Sequence, residues 1–338
     1  MKTRIVSAVK YLLLLLLAVS LLFLAFRGQN LEQLSADLKS ANYGWVILST
    51  LACLLAHLFR AYRWQMLIKT LEYSPPSIIT TFQAVMIGYL ANLALPRMGE
   101  ITRCGAIHKT NNIPADKLIG TVIIERLTDV FMLMLVISLA IMLQFELIFK
   151  FLNQHIFSFI ASKTSGSGFI FIIIALVMVS VALVIFAIKK SNFKVPGRLI
   201  TLWQGLSKGL TSFYTLENKW GYVLYSILIW FFYYLSTYLC LFAISTTAHL
   251  SIYAALSILV FGSLGMIVPV QGGIGAFHFM VAEGLVLYAI KKSDGLAYAT
   301  IIHSSQTLLI LVIGGISLIL MFTSSSKKAT NEPIRVNK

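Results

Sequence analysis

Three charged residues between two apolar runs form the first group that could bind a ligand. The segment reads NLALPRMGEITR and covers residues 92–103, beginning with the polar side chain of Asn92. A helix that restarts near Arg97 would place Arg97, Glu100 and Arg103 three residues apart on one face, with Glu100 between the two arginines. An arginine fork suits a phosphate, so the spacing favours a lipid phosphate as ligand. The alternative is that both arginines lie at the cytoplasmic headgroup level as ordinary positive charges.

A proline and glycines predict that the chain turns at two places. Pro96 disfavours helix at the residue before it, and Gly99 allows a turn or close packing. The second turn reads PVQGGIG, residues 269–275, where Pro269 ends one helix. Its flexible backbone and the amides that open the next helix, near Ala276, suit an anion. The candidate binding residues of this turn are Gln271, Gly272, Gly273 and Gly275.

Three more charges interrupt the apolar segment that follows the first turn: Glu125, Arg126 and Asp129. Arg126 and Asp129 share a helix face, whereas Glu125 and Asp129 are like charges four residues apart that repel unless something bridges them. Charges within an apolar helix indicate a protein-lined or wet cavity. Ion pairing to the first turn is an equally favoured interpretation, and the two are compatible.

Other polar residues receive structural interpretations. His57, Arg60 and Arg63 form a three-spaced stripe followed by Trp64, which favours an interfacial anchor over ligand contact. Intramembrane histidines usually form helix–helix hydrogen bonds, and proton coupling is the less favoured alternative. These polar residues are His278, Glu283, His303 and Gln306. The three cysteines are predicted to be packing residues, since they lack metal-ligand spacing. They are Cys53, Cys104 and Cys240. No metal or cofactor is expected.

Composition requires that these residues sit in a membrane protein. The chain has 338 residues, of which 58% are hydrophobic and 12% charged, with a mean hydropathy of +0.86. A soluble domain has roughly 25% charged residues, so too few polar side chains remain to cover a water-facing surface. A soluble catalytic domain is therefore not expected, and the expected organisation is a single transmembrane domain over residues 1–338. The net charge of +15 indicates anionic lipid, not nucleic acid, as the partner.

Apolar runs near the roughly 20 residues of a membrane helix divide the chain. The predicted spans are 7–26 (uncleaved), 43–60, 78–95, 118–143, 168–188, 220–245, 252–268, 276–290 and 296–322. Lysine and arginine collect on the cytoplasmic side, which places three regions there. These are the N-terminus, the basic amphipathic loop 189–219 and the tail 323–338.

The distribution of Lys and Arg among the loops also predicts two hairpins that enter the membrane from opposite sides. With 246–251 outside, residues 78–117 enter from the cytoplasm and return, and residues 252–295 enter from outside and return. This pattern is typical of inverted-repeat transporters, whose broken helices meet near the midplane. The predicted fold class is an all-α polytopic membrane protein with about seven to nine membrane helices, including two re-entrant or hairpin segments. Ordinary full spans are the alternative for each hairpin.

At these residues the chain resembles a known family. The segments 92–103, 269–275, AYRW at 61–64 and IIERLTD at 123–129 are similar to the lysylphosphatidylglycerol synthase transmembrane region, also called flippase-like membrane proteins. The resemblance covers about residues 7–322 and implies a lipid-flipping region. Fused members carry a cytosolic aminoacyl-transferase domain, but the last predicted span ends at residue 322 of 338, so lysine transfer is not implied.

The leading expectation is a flippase-like protein of the inner (plasma) membrane that translocates a phospholipid or isoprenoid-linked lipid. Both termini would be cytoplasmic, and an anionic phospholipid or lipid phosphate would be the partner. One alternative is a membrane subunit that presents a lipid acceptor to a separate glycosyl- or aminoacyl-transferase. Another is an ion-coupled solute transporter. The sequence favours a transporter over an enzyme and leaves the oligomeric state open.

Overall fold

A computed structural model describes residues 31–71, 73–147 and 216–330, together with positions 19, 20 and 23. These residues form helices joined by turns, and no strand occurs among them. Contacts divide the chain into two compact units, residues 1–140 with 205–338 and residues 141–204. The helices below belong to the first unit, apart from the last residues of α5. The α-helices are α1 Leu31–Ser40, α2 Tyr43–Lys69, α3 Ile78–Ala94, α4 Gly99–Asn111, α5 Ala115–Leu143, α6 Lys219–Leu241, α7 Ile252–Ile267, α8 Ala276–Val286 and α9 Lys292–Thr330.

Four of these helices are long and apolar enough to cross a membrane: α2, α5, α6 and α9. They match the predicted spans 43–60, 118–143, 220–245 and 296–322, so the chain is a multi-pass, all-helical membrane protein. Two of these helices run beyond the predicted spans. α2 continues nine residues past 60 to Lys69, and α9 continues past 322 to Thr330, into the segment predicted to be a tail.

Four of the five shorter helices form two pairs, α3 with α4 and α7 with α8. They have 17, 13, 16 and 11 residues. At about 1.5 Å per residue, even α3 is only about 26 Å long, against a hydrocarbon core of about 30 Å. α8 also ends at Val286, before the predicted 290. That the two pairs are re-entrant segments or membrane hairpins stays a prediction.

Part of the predicted organisation lies outside the described residues. The span 168–188 falls there completely, as does most of the span 7–26 and of the basic loop 189–219. The last eight residues, 331–338, also lie outside.

Short polar side chains fix the helix starts. Asn42 and Asn218 accept hydrogen bonds from the first-turn amides of α2 and α6, and Ser77 and Ser251 do the same for α3 and α7. Asn and Ser are strongly preferred at this position, because the first amides of a helix lack partners inside the helix. These caps set where each helix begins and therefore the register of its side chains.

α2 lies at the centre of the described bundle and packs along α6. Ser49 of α2 donates a hydrogen bond to the Ser236 carbonyl at 2.8 Å, both residues being buried. Small residues at membrane-helix interfaces allow such close approach. α9 likewise approaches α3 closely, since a Cβ at Gly314 would lie 3.0 Å from the Met86 carbonyl oxygen. The three cysteines are all buried and free, as predicted for packing residues.

Candidate functional site

The first turn breaks the helix where Pro96 predicts, but the helix restarts later than expected. α3 ends at Ala94, Leu95 is extended, and α4 begins at Gly99, whose amide donates to the Asn92 side chain at 2.7 Å. Arg97 has a φ of +62°, rare for a side chain larger than glycine. The prediction that Arg97 shares a helix face with Glu100 and Arg103 was therefore wrong, because Arg97 lies in the turn and is exposed.

Two glycines bring the backbones of α3 and α4 together. A Cβ at Gly88 would lie 2.9 Å from the Gly99 carbonyl oxygen, and a Cβ at Gly99 would overlap the Gly88 carbonyl oxygen. The same approach places the side chain of Arg103 against Gly88. The close contact in this helix pair thus carries Arg103 into the interior of the bundle.

The buried carboxylate of Glu125 on α5 is the centre of a charge network. It accepts from Arg60 Nη1 at 2.6 Å on α2 and lies 3.0 Å from Arg103 Nη1 on α4. One turn later, Asp129 accepts from Arg60 at 2.7 Å and from Arg63 at 2.6 Å. The two like charges on α5 are bridged by α2. Predicted ion pairing between α5 and the first turn is thus present in the Arg103–Glu125 pair.

The interfacial-anchor interpretation of the α2 stripe was wrong. Arg60 and Arg63 are buried and ion-paired, and Trp64 is also buried, donating to Thr121 Oγ1 at 2.9 Å. Their burial has a physical reason, because Glu125 and Asp129 supply the charges that a buried guanidinium requires. Sequence reasoning missed both arginines as members of the site. The sequence did contain one signal for them: the repulsion between Glu125 and Asp129 on α5 requires a positive charge nearby.

Arg126 and Glu100 form the outer edge of this network. Their side chains lie 3.1 Å apart and are 45% and 30% exposed. Arg126 also lies 3.8 Å from Asp129, which confirms their predicted shared face. The prediction that Glu100 lies between Arg97 and Arg103 was wrong, since its ion pair is with Arg126. The Arg126–Glu100 pair is accessible from outside the protein, whereas the ion pairs of Glu125 are buried.

One edge of the Arg103 guanidinium is left without a protein partner. Arg103 is 3% exposed, yet its Nε and Nη2 atoms make no hydrogen bond. The guanidinium carbon lies 4.5 Å from the centroid of the Trp64 ring, which holds the group in place. Arg103 lines a cleft of about 10 Å³, which fits about one water molecule. The other residues lining it are Arg60, Val85, Gly88, Tyr89, Asn92, Gly99, Glu100 and Arg126.

The network carries a surplus of positive charge. Its ion pairs join four arginines to three carboxylates, which leaves one net positive charge. Buried charges without full compensation are costly and mark functional sites in membrane proteins. An anion in the cleft would offset this charge and satisfy the free edge of Arg103.

The second turn has the predicted glycine geometry and carries no charge. Gly272, Gly273 and Gly275 have φ values of +56°, +77° and +82°. Residues Gln271–Gly273 form a single 3-10 turn, and α8 begins at Ala276 as predicted. Glycine is needed here because other residues rarely adopt such φ values.

The two turns meet, but the second turn does not line the charged cleft. A Cβ at Gly272 would lie 2.8 Å from the Leu93 side chain, and Arg97 Nη2 donates to the Ile267 carbonyl at 3.3 Å. The glycines of the second turn and Arg97 are nevertheless absent from the lining of the charged cleft. The structure thus brings six of the predicted binding residues together there or in the ion network. They are Asn92, Glu100, Arg103, Glu125, Arg126 and Asp129, the last paired to two network arginines.

Comparison with known proteins identifies the family of this chain. The family described as lysylphosphatidylglycerol synthase TM region matches residues 11–314. The chain belongs to this family. A UPF0104 membrane protein from Methanocaldococcus jannaschii is 31% identical over 122 residues. That match spans 34% of this chain and 35% of the relative, so it covers about a third of each. No solved structure matches the chain.

Proposed function

We propose that the protein translocates a lipid with an anionic headgroup across its membrane and that Arg103 binds the headgroup phosphate. Membership of the lysylphosphatidylglycerol synthase TM region family supports a flippase-like role. The observation that carries the proposal is the free Nε–Nη2 edge of a buried guanidinium in a cleft. A phospholipid and an isoprenoid phosphate share the phosphate that this edge would recognise.

The free edge of the Arg103 guanidinium has no protein partner but has the geometry to bind a phosphate. Its Nε–H and one Nη2–H point the same way and can bind two oxygens of one phosphate. Nη1 is already held by Glu125, so the guanidinium is oriented before a ligand arrives. Such orientation lowers the entropic cost of binding.

A headgroup can enter only if the cleft opens. The cleft fits about one water, whereas a phosphate with its ester substituents is several times larger. The exposed Arg126–Glu100 pair forms one wall, and a phosphate would compete with Glu100 for Arg126. Exposed ion pairs contribute at most about 1 kcal/mol, so exchange of partners here is easier than at Glu125. We infer that opening begins at this pair.

A transport assay in proteoliposomes tests the function. The purified full chain is reconstituted with a fluorescent phospholipid or an isoprenoid phosphate, and dithionite quenching or enzymatic accessibility reports translocation. The wild type is expected to exceed empty vesicles, and Arg103→Gln to fall to their level. Arg103→Lys keeps the charge without the fork and should retain part of the rate.

Lys292→Gln is the matched control, because Lys292 is a cation paired with Glu283 away from the cleft. Its rate should equal that of the wild type. A wild-type rate no higher than that of empty vesicles would overturn the proposed function. Wild-type activity in Arg103→Gln would overturn the role of this residue while leaving translocation intact.

Orientation in the membrane is part of the proposal. We infer cytoplasmic termini in an inner (plasma) membrane from the positive charge of residues 189–219 and 323–338. Single cysteines placed near residues 3 and 336 of a cysteine-free variant should resist a membrane-impermeant maleimide in intact cells and react after lysis.

A further inference from the structure

A second cavity, of different chemistry, lies against α8 and α9. It has a volume of about 610 Å³, within the range of small-molecule sites. No charged side chain lines it among the described residues. The lining residues are Ile274, His278, Thr300, His303, Ser304, Thr307, Leu308 and Leu311.

Four polar but uncharged residues of α9 line this cavity and are called its floor here. Thr300, His303, Ser304 and Thr307 follow the i, i+3, i+4, i+7 pattern, so they share one face of α9. His303 Nε2 donates to the Gly272 carbonyl at 2.9 Å, which fixes its ring beside the glycine turn. The Thr300 hydroxyl is buried and makes no hydrogen bond. A polar stripe on a membrane helix is costly unless its groups find partners.

The rim of the cavity is apolar. Leu308 and Leu311 are 61% and 50% exposed, on a helix long and apolar enough to span the membrane. Ile274 is also exposed on the side of the turn. A lipid tail can therefore lie along Leu308 and Leu311 while its polar end reaches the hydroxyls.

We propose that this cavity, named here the α9 groove, binds the uncharged ester region of a membrane glycerolipid. Ester carbonyls accept hydrogen bonds from hydroxyls and need no cation, which matches a floor of Thr and Ser without Lys or Arg. The glycerol region lies between a polar headgroup and apolar tails, as the groove lies between a polar floor and an apolar rim. The site does not depend on the proposed translocation through the charged cleft.

The size of the groove argues for a lipid instead of a partner helix. An α-helix is about 10–12 Å wide with a pitch of about 5.4 Å, so 610 Å³ would hold only about one to one and a half turns. A single acyl chain is much thinner and can fill the same volume along its length. The groove is therefore better matched to the neck and one tail of a lipid.

Photo-crosslinking tests the α9 groove with the full chain in vesicles. The probes are two diacyl lipids with a diazirine near the ester, one with a phosphocholine headgroup and one with an anionic phosphoglycerol headgroup. Peptide mapping by mass spectrometry should find both on residues 300–311, to a similar extent. Thr300→Val keeps the shape but removes one hydroxyl, so labelling should fall roughly 2–10-fold.

Two further variants make the test decisive. Ser304→Trp puts a large ring at an exposed position of the lining and should abolish labelling, whereas Gly315→Ala on the same helix, with nothing near its Cβ, should leave it unchanged. Labelling by the anionic lipid alone, crosslinks between two copies of the chain, or full labelling of Ser304→Trp would overturn the proposal. Arg103→Gln should stop translocation without changing groove labelling, which separates the two sites.

Discussion

In both helix pairs, glycine allows the two backbones to approach closely, but the pairs differ in charge. In the first, Gly88 and Gly99 bring α3 against α4. In the second, Gly265 lies against the backbone of Ala276 and Phe277, so that α7 and α8 also meet closely. The first pair then adds Glu100 and Arg103 and connects to charges on α2 and α5, whereas residues 269–275 of the second turn carry no charged side chain.

This difference shows that the features that shape a hairpin are distinct from those that allow it to bind a ligand. Glycine contacts build both tips, so shape alone does not distinguish a binding site from a structural turn. Charge is present at one tip only, where the buried carboxylate of Glu125 organises three arginines. We therefore expect the first hairpin to depend on ion pairs and the second on backbone conformation.

The largest expected effect is that of Glu125→Gln, which tests the dependence on charge. The substitution leaves Arg60 and Arg103 buried with a neutral amide in place of their shared carboxylate. Breaking a buried pair costs about 3–5 kcal/mol, so the unfolding midpoint in detergent should fall sharply. A double variant that adds Arg103→Gln should lose less stability than the sum of the single variants. Simple additivity would show that the two residues are not coupled.

Gly99→Ala should have the next largest effect. The new Cβ would overlap the Gly88 carbonyl oxygen, which cannot move as a side chain can, so we expect a loss of about 1–3 kcal/mol. Gly105→Ala is the matched control on α4, because nothing lies within 4 Å of its Cβ. It should be neutral or stabilise by up to about 1 kcal/mol through helix propensity. Equal behaviour of the two variants in thermal unfolding would contradict the close contact.

Gly272→Ala applies the same test to the second tip. A left-handed conformation costs an ordinary residue about 1–2 kcal/mol, but the Leu93 side chain that it meets can rotate away. The loss of stability should therefore be smaller than for Gly99→Ala. A larger loss in chemical unfolding would reverse the expected ranking of the two hairpins.

Glu283→Gln should have the smallest effect and completes the comparison. Glu283 pairs with Lys292 beside the second hairpin, and both side chains are about one-third exposed. Such a pair contributes about 0–1 kcal/mol, less at high salt. Unfolding curves of this variant at low and high salt should nearly coincide with those of the wild type. A loss as large as that of Glu125→Gln would show that charge matters equally in both hairpins.

The sequence predicts the positions of the turns well, because proline and glycine act locally. α3 and α7 end within one residue of the predicted 95 and 268, and α8 begins at the predicted Ala276. Pro96 also predicts the break after α3. The register beyond it was wrong, since the positive φ of Arg97 delays the helix to Gly99. Counting three residues from Arg97 therefore grouped side chains that do not share a face.

The ion network could be predicted only in part, because its members are distant in sequence. Glu125 and Asp129 indicate by their repulsion that something must bridge them. Nothing local identifies Arg60 and Arg63 as the bridge, because the pairing depends on how α2 packs against α5. The same gap applies to α2, whose predicted span ended at residue 60, within the stripe that was interpreted as an interfacial anchor. Burial of these charges lets the helix continue to Lys69.

The Arg60–Glu125 pair has a consequence for biosynthesis. Arg60 leaves the ribosome 65 residues before its carboxylate partner does. During that interval α2 carries two unpaired arginines, each of which costs up to about 2.5–3.5 kcal/mol at the bilayer centre on insertion scales. We expect α2 to remain in a wet environment until α5 is made, so that the two helices partition into lipid together. The order of translation and the order of membrane insertion then differ for this chain.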